Sequence, residues 1–496
     1  MDRRLDRGAL LCALCLFLLS WALPAPAGFV SHNERPRLLA GRALVEDGRL
    51  DLDAPSVAHL DPGMDVSRGA DGRRYPNKAP GTTFVAAATW LVARHAEAPD
   101  RTHRILSRIV GATLPAVLLL LWLCRLPDAS PERRRDRRAA TVLVFLASPL
   151  WPYAKVFYGH ALAALLVYGA YRLGSPRREG LAAPAAAGLC AGLSVCVEYT
   201  AAAFCLPLAL AVFGRAWIER RARIRLVAGL VGAMGPAAAL AGYHLHAFGG
   251  IWRTGYHHAL RPEFAEIHAR GVLGFGLPTL HSLYAHVLSP SGGLLTVCPL
   301  LVLGVWSRRP VADHEAPSAR FLPLVAVAVL LGLAQTGGFR VGPRYIVAAM
   351  PLFVPNLAEN LPLLRRRPAV AFLAGAAATA GIAICGTAAS VLPHLPAFGD
   401  PWSDLLVPLA RSGVEVPTAL GHLPAALVAG ASVAGAIVLC TAAGTTRNPP
   451  RARRAWLAGA ATALLLLALR AAAPTDEGSR FCRALADAGD ARVPCP

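Results

Sequence analysis

Glu34 and Lys78 are the residues of this chain best placed by type and context to do chemistry. They lie in Ser31-His32-Asn33-Glu34-Arg35 and in Asp71-Gly72-Arg73-Arg74-Tyr75-Pro76-Asn77-Lys78-Ala79-Pro80-Gly81, two tracts of a polar stretch running from Ser31 to His103 between two apolar runs. A carboxylate fixed at the end of a span, its pKa raised by partial desolvation, can take the proton of a hydroxyl. A lysine beside proline and glycine offers a compact ammonium. Only Lys78 and Lys155 are lysines among 50 basic Lys and Arg residues, so lysine here marks places that want more than generic positive charge. The alternative for Glu34 is a helix residue paired with Arg35 or Arg37.

Other candidates are spread along the chain. Arg340 and Arg344 flank the turn Gly337-Gly338-Phe339-Arg340-Val341-Gly342-Pro343-Arg344-Tyr345, where two guanidiniums suit a phosphate or pyrophosphate, or anchor lipid headgroups. In Ser148 to His160 the aromatics Trp151, Tyr153 and Tyr158 fit an interface belt. Lys155, His160 and, further on, Glu198 are ionisable groups near hydrocarbon, expensive there unless paired or useful. Asp65 and Asp71 are further first-loop carboxylates that stand as supporting acids. His281 and His286 are five residues apart, which turns them about 140° from each other on a helix and argues against a shared ion. No metal ligand set is assigned, and no motif identifies a cofactor.

The elements that must hold these residues are membrane spans. A chain of 496 residues that is 55% hydrophobic and 16% charged, with a mean hydropathy of +0.45, is too apolar for an ordinary soluble protein. Runs of about 20 apolar residues predict about thirteen transmembrane helices: 8–30, 109–124, 139–153, 158–171, 181–197, 199–213, 226–248, 293–306, 321–336, 345–361, 370–392, 423–441 and 455–469. The first run also has the features of a cleavable signal; a retained span is the reading adopted. The formal charge of +20 is distributed in short arginine clusters between spans rather than on one face, which argues against nucleic acid. By the positive-inside rule those clusters are cytoplasmic, so the Glu34 and Lys78 loop and the C-terminal tail lie outside. In the tail, Cys482 and Cys495 are expected to pair in an oxidising compartment.

Within the first loop, residues 35–49 and 83–94 predict two interfacial helices. The His-, Tyr- and Arg-rich segment 250–291 is positioned to cover that loop. No internal repeat and no low-complexity tail are evident.

Asn33-Glu34-Arg35, Leu44-Val45-Glu46-Asp47-Gly48, Asp71-Gly72-Arg73 and Asn77-Lys78-Ala79-Pro80-Gly81 together resemble the first outer loop of the GT-C membrane glycosyltransferases, particularly the dolichyl-phosphate-mannose mannosyltransferase and aminoarabinose transferase-like bacterial group. Ser148 to Tyr153, Phe157 to Ala161, Ser289-Pro290 with Gly293-Leu294, and Gly342 to Tyr345 resemble later landmarks of that group. The likeness covers Ser31 to Tyr345.

It implies an all-α, GT-C-like bundle in the bacterial cytoplasmic membrane that transfers a sugar from a polyprenyl-phosphate donor to a glycan, lipid or protein hydroxyl at the extracytoplasmic face. Residues 1–345 then form the catalytic module, 346–471 C-terminal transmembrane helices and 472–496 a short outer tail. Glu34 carries over as general base, Lys78 and Arg344, with Arg340, as ligands of the donor phosphate. His160, where many relatives have an acid, and Asn33 before Glu34 depart from the pattern and weigh against the divalent metal some members use. The competing class is a transporter or flippase of a lipid-linked anion, or a non-catalytic relative. A transporter is expected to show paired broken helices and midplane ionisable groups, whereas here these groups gather at one edge.

Overall fold

The computed structural model describes residues 31–126, 130–175, 180–213, 219–269, 274–307, 320–333, 340–394, 399–411, 415–418, 421–445 and 448–472. The expected first span and the tail with Cys482 and Cys495 lie outside the described residues. Among the described residues, six helices are long and apolar enough to cross a membrane: Pro99–Arg125, Arg220–Phe248, Arg344–Arg366, Pro368–Ser390, Ala425–Thr445 and Pro450–Ala472. Together with the apolar composition these make the chain an integral membrane protein.

The other apolar runs among the described residues are also helical but shorter, and proline accounts for several breaks. The run 139–153 is helical to Leu146, stops at Ser148-Pro149, and resumes as a single turn at Leu150–Tyr153. Residues 293–306 divide into Leu294–Val297, a 3₁₀ turn at Pro299–Leu301 and Val302–Val305. Proline lacks the N–H that would continue the ladder, so the chain restarts on its far side.

Two groups of three helices build much of the bundle. Ala182–Val197 packs on Arg220–Phe248 and on His160–Gly174, while Pro368–Ser390 packs on Pro450–Ala472 and Ala425–Thr445. Close approach is built from glycine: a Cβ on Gly375 would lie 2.2 Å from the Trp456 carbonyl oxygen, and one on Gly459 2.0 Å from that of Phe372. Small residues let backbones touch where lipid supplies no hydrophobic drive between helices.

The first loop folds as two helices and a hairpin. Arg35–Asp47 lies on Gly81–Ala93, with Gly41 against Ala86. Strand β1 (Val66–Arg68) pairs antiparallel with β2 (Arg74–Pro76), Ser67 opposite Tyr75. Asp71-Gly72 makes the turn, Gly72 at φ +80 where glycine is favoured. The segment after Arg220–Phe248 seals this hairpin: the Leu260 N–H donates to the Val66 carbonyl, and Ser67 Oγ donates to the Gly255 carbonyl at 2.5 Å.

Candidate active site

The sequence-predicted residues fall into two neighbouring clusters, one closed and one polar with a surplus of cations. The closed cluster is centred on Glu34. The chain turns at Ser31, whose carbonyl accepts from the Glu34 N–H, and the helix starts at Arg35 with Pro36 in its first turn. Glu34 is fully buried, and its carboxylate accepts from Arg108 Nε at 2.9 Å and Arg108 Nη2 at 3.0 Å. The Phe157 N–H donates to Oε1 at 2.8 Å, and Ser31 donates to Oε2 through its N–H at 3.3 Å and its hydroxyl at 3.2 Å. His394 Nε2 stands 3.8 Å away, and its Nδ1 shares a 2.9 Å hydrogen bond with the Tyr158 hydroxyl.

These partners correct the expectation of a raised Glu34 pKa. Burial alone pushes the carboxyl up, but the charge and hydrogen bonds of Arg108, then His394 and the Phe157 N–H, outweigh it and hold the group at about 2. Neither arginine expected as its partner is used: Arg35 pairs with Asp61 at 2.6 Å, and Arg37 donates to the Tyr158 carbonyl at 2.5 Å.

The second cluster gathers Asp65, Lys78, Arg37, Arg344, His160 and Glu198. Lys78 lies two residues beyond the end of β2, and its Nζ lies 3.5 Å from Asp65 Oδ2 and 4.9 Å from the centre of the Tyr256 ring. Asn33 Nδ2 donates to Asp65 Oδ2 at 2.9 Å, and Asn77 Nδ2 reaches Oδ1 at 3.5 Å. Arg37, buried on the inner face of its helix, and Arg344, at the start of the Arg344–Leu352 3₁₀ segment, both act on Asp65 and Lys78 electrostatically. Burial would raise the Asp65 pKa, yet Lys78, Arg344 and Arg37 bring it below the usual carboxylate range. Burial lowers Lys78, with Asp65 partly restoring it.

His160 opens the helix His160–Gly174 with Nδ1 3.5 Å from Glu198 Oε2, and Thr200 Oγ1 donates to Glu198 Oε1 at 3.2 Å. Arg344 Nη2 donates to the Tyr345 hydroxyl at 2.9 Å. Arg340, almost wholly enclosed, packs against Gly292, where a Cβ would sit 2.5 Å from its guanidinium. The cations Lys78, Arg37 and Arg344 thus outnumber the carboxylates Asp65 and Glu198, and Arg340, whose charge acts on Arg344, adds to the surplus. Such a cluster is complementary to an anion.

Two candidates stand apart. Asp71 is exposed at the hairpin tip, where it accepts from the Tyr75 hydroxyl at 3.0 Å and the Arg73 N–H at 3.0 Å. Lys155 donates to the Ala389 carbonyl at 2.6 Å, tying the tract before His160 to the end of Pro368–Ser390. Among the described residues, no group of three or more His, Cys, Asp or Glu is arranged to hold a metal ion. Arg37, Arg108 and Tyr256 were not singled out as functional from sequence. Arg37 was legible as a charge on an otherwise apolar helix face, whereas Arg108 is one of several arginines in a row.

No family model and no curated protein matches the chain. Among solved structures it is similar to the apo oligosaccharyltransferase of Archaeoglobus fulgidus, at 12% identity over 82% of this chain and 58% of that one, with a TM-score of 0.43. It is also similar to ArnT from Cupriavidus metallidurans bound to undecaprenyl phosphate, at 13% identity over 92% of this chain and 76% of that one, TM-score 0.40. A third is the arabinosyltransferase EmbB from Mycobacterium smegmatis, at 15% identity over 94% and 41%, TM-score 0.46. The chain spans little more than half the length of the archaeal enzyme. Superpositions this loose assign no activity.

Proposed function

We propose that the chain is a GT-C-type membrane glycosyltransferase that moves a sugar from a polyprenyl-phosphate donor to an acceptor hydroxyl, with its site at the extracytoplasmic face of a bacterial cytoplasmic membrane. The observation that carries this reading is the buried cation surplus formed by Lys78, Arg37 and Arg344 beside Arg340. A glycosidase commonly needs a second carboxylic acid because its leaving alkoxide must be protonated. A lipid phosphate leaves as a stable anion and needs cations instead, so one base and a basic pocket suffice. Lys78 supplies a point charge, while the guanidiniums of Arg344 and Arg340 can engage phosphate oxygens in pairs.

Binding of undecaprenyl phosphate to the full chain in nanodiscs tests this. Lys78→Met and Arg344→Gln each remove a charge-assisted hydrogen bond, about 1.5 to 3 kcal/mol, and are expected to weaken binding by roughly ten- to 150-fold. Unchanged affinity in both variants would reject the reading.

A further inference from the structure

Sugar transfer needs a group to receive the acceptor's proton, and two first-loop carboxylates, Glu34 and Asp65, meet opposite surroundings. An ionised carboxylate offers about four lone-pair directions. Those of Glu34 are taken by Arg108, the Phe157 N–H and Ser31, and the side chain is 1% exposed. A substrate hydroxyl finds neither an open lone pair nor a path to it. Asp65 is different: one close hydrogen bond from Asn33, contacts at 3.5 Å from Lys78 and Asn77, and a side chain 15% exposed. It also lies among the cations that would hold the donor phosphate, so proton acceptor and leaving-group counter-charge share one site.

We propose that Asp65 receives the acceptor proton and that Glu34 is a positioning residue, clamping the start of the first loop to Arg108 and Phe157. This assignment rests on the glycosyl-transfer reading above. In the transfer the acceptor oxygen forms its bond to the anomeric carbon, and its proton passes to an Asp65 carboxylate oxygen. The bond from the anomeric carbon to the phosphate oxygen breaks, and its electron pair stays on the phosphate beside Lys78, Arg37 and Arg344. The same geometry couples the two substrates. Those three cations hold down the proton affinity of Asp65. A phosphate bound to them offsets their pull, so the carboxylate becomes a stronger base once the donor is in place.

The test uses the full chain in nanodiscs, with the polyprenyl-phosphate sugars extracted from its source membranes as donor pool and membrane extract as acceptor. Released polyprenyl phosphate is followed by mass spectrometry, and undecaprenyl phosphate binding is measured in parallel. Asp65→Asn is expected to lower turnover by roughly a hundred- to ten-thousand-fold while undecaprenyl phosphate binds as tightly or more tightly. Glu34→Gln should lower the thermal midpoint together with turnover, and the double variant Glu34→Gln, Arg108→Gln should recover most of both. Removing both members leaves no uncompensated buried charge, and the introduced glutamine can still accept from the Phe157 N–H. A base could not be restored by deleting its partner. Near-normal turnover of Asp65→Asn would overturn the assignment, as would a double variant that regains its thermal midpoint but no turnover. If undecaprenyl phosphate binding also proves indifferent to Lys78→Met and Arg344→Gln, the failure lies with the donor reading itself.

Discussion

Arg108→Met is expected to reverse the contribution of Glu34 to the protein's response to acid. In the native protein the Glu34 carboxyl sits at about 2, below its ordinary 4.5. A group depressed in this way contributes stability that is present above the unfolded value and lost as pH falls through the folded one, here between about 4.5 and about 2. The gap corresponds to about 3 kcal/mol. Without the guanidinium, burial dominates, and the Phe157 N–H, the two Ser31 donors and His394 at 3.8 Å are left to oppose it. The folded pKa then rises above the unfolded one, so the variant gains stability from this group on acidification and loses it as pH rises. At neutral pH the stranded carboxylate should destabilise the protein by about 3 to 5 kcal/mol. Apparent thermal midpoints of both proteins, at one scan rate and across pH, measure the effect. The deficit of Arg108→Met should shrink steadily as pH falls, and a deficit independent of pH would exclude Glu34 as the group responsible.

That ion pair also marks the limit of what the sequence made legible. Helical spacing located the first of the two first-loop helices and a short apolar stretch the second, and apolar runs located the six long apolar helices among the described residues, because each signal lies within one window of sequence. His160 and Glu198 could be named as candidates because ionisable groups near hydrocarbon are expensive unless used, Lys78 because lysine is rare in this chain, Arg344 because it flanks a glycine-rich turn, and Asp65 as a first-loop carboxylate. Their convergence depends on contacts such as Ser67 with Gly255, 188 residues apart. Glu34 showed the opposite failure. Its type and place at the end of a span suggested a desolvated, raised carboxyl, but the partner that decides its charge lies 74 residues away on Pro99–Arg125. Desolvation and pairing act in opposite directions on one carboxylate, and only the second requires knowing what stands opposite. The β1–β2 hairpin was hidden too, since three-residue strands are too short to display alternation.

The second large effect is expected far from the pocket, at Gly188. A Cβ there would lie 1.7 Å from the Gly229 carbonyl oxygen, and one on Gly232 would lie 1.8 Å from that of Ala185. Both atoms belong to helix backbone and cannot swing aside, so Gly188→Ala or Gly232→Ala must drive Ala182–Val197 and Arg220–Phe248 apart, at about 1 to 3 kcal/mol. This interface positions the site from two sides. The first helix ends at Val197 and delivers Glu198, while the Cys196 carbonyl presses on Gly81 beside the Lys78 tract, where a Cβ would sit at 2.6 Å. The second leads into Gly255 and Tyr256, packed on Asn77 and facing Lys78. Separating the helices therefore displaces the surroundings of Lys78 without touching a charge. Undecaprenyl phosphate affinity should fall together with the thermal midpoint in both variants. Gly235→Ala on the same helix meets nothing within 4 Å and should leave both readouts near native. If Gly188→Ala lowered the midpoint and left lipid phosphate binding intact, the helix pair would support the bundle without setting the geometry of the Lys78 pocket.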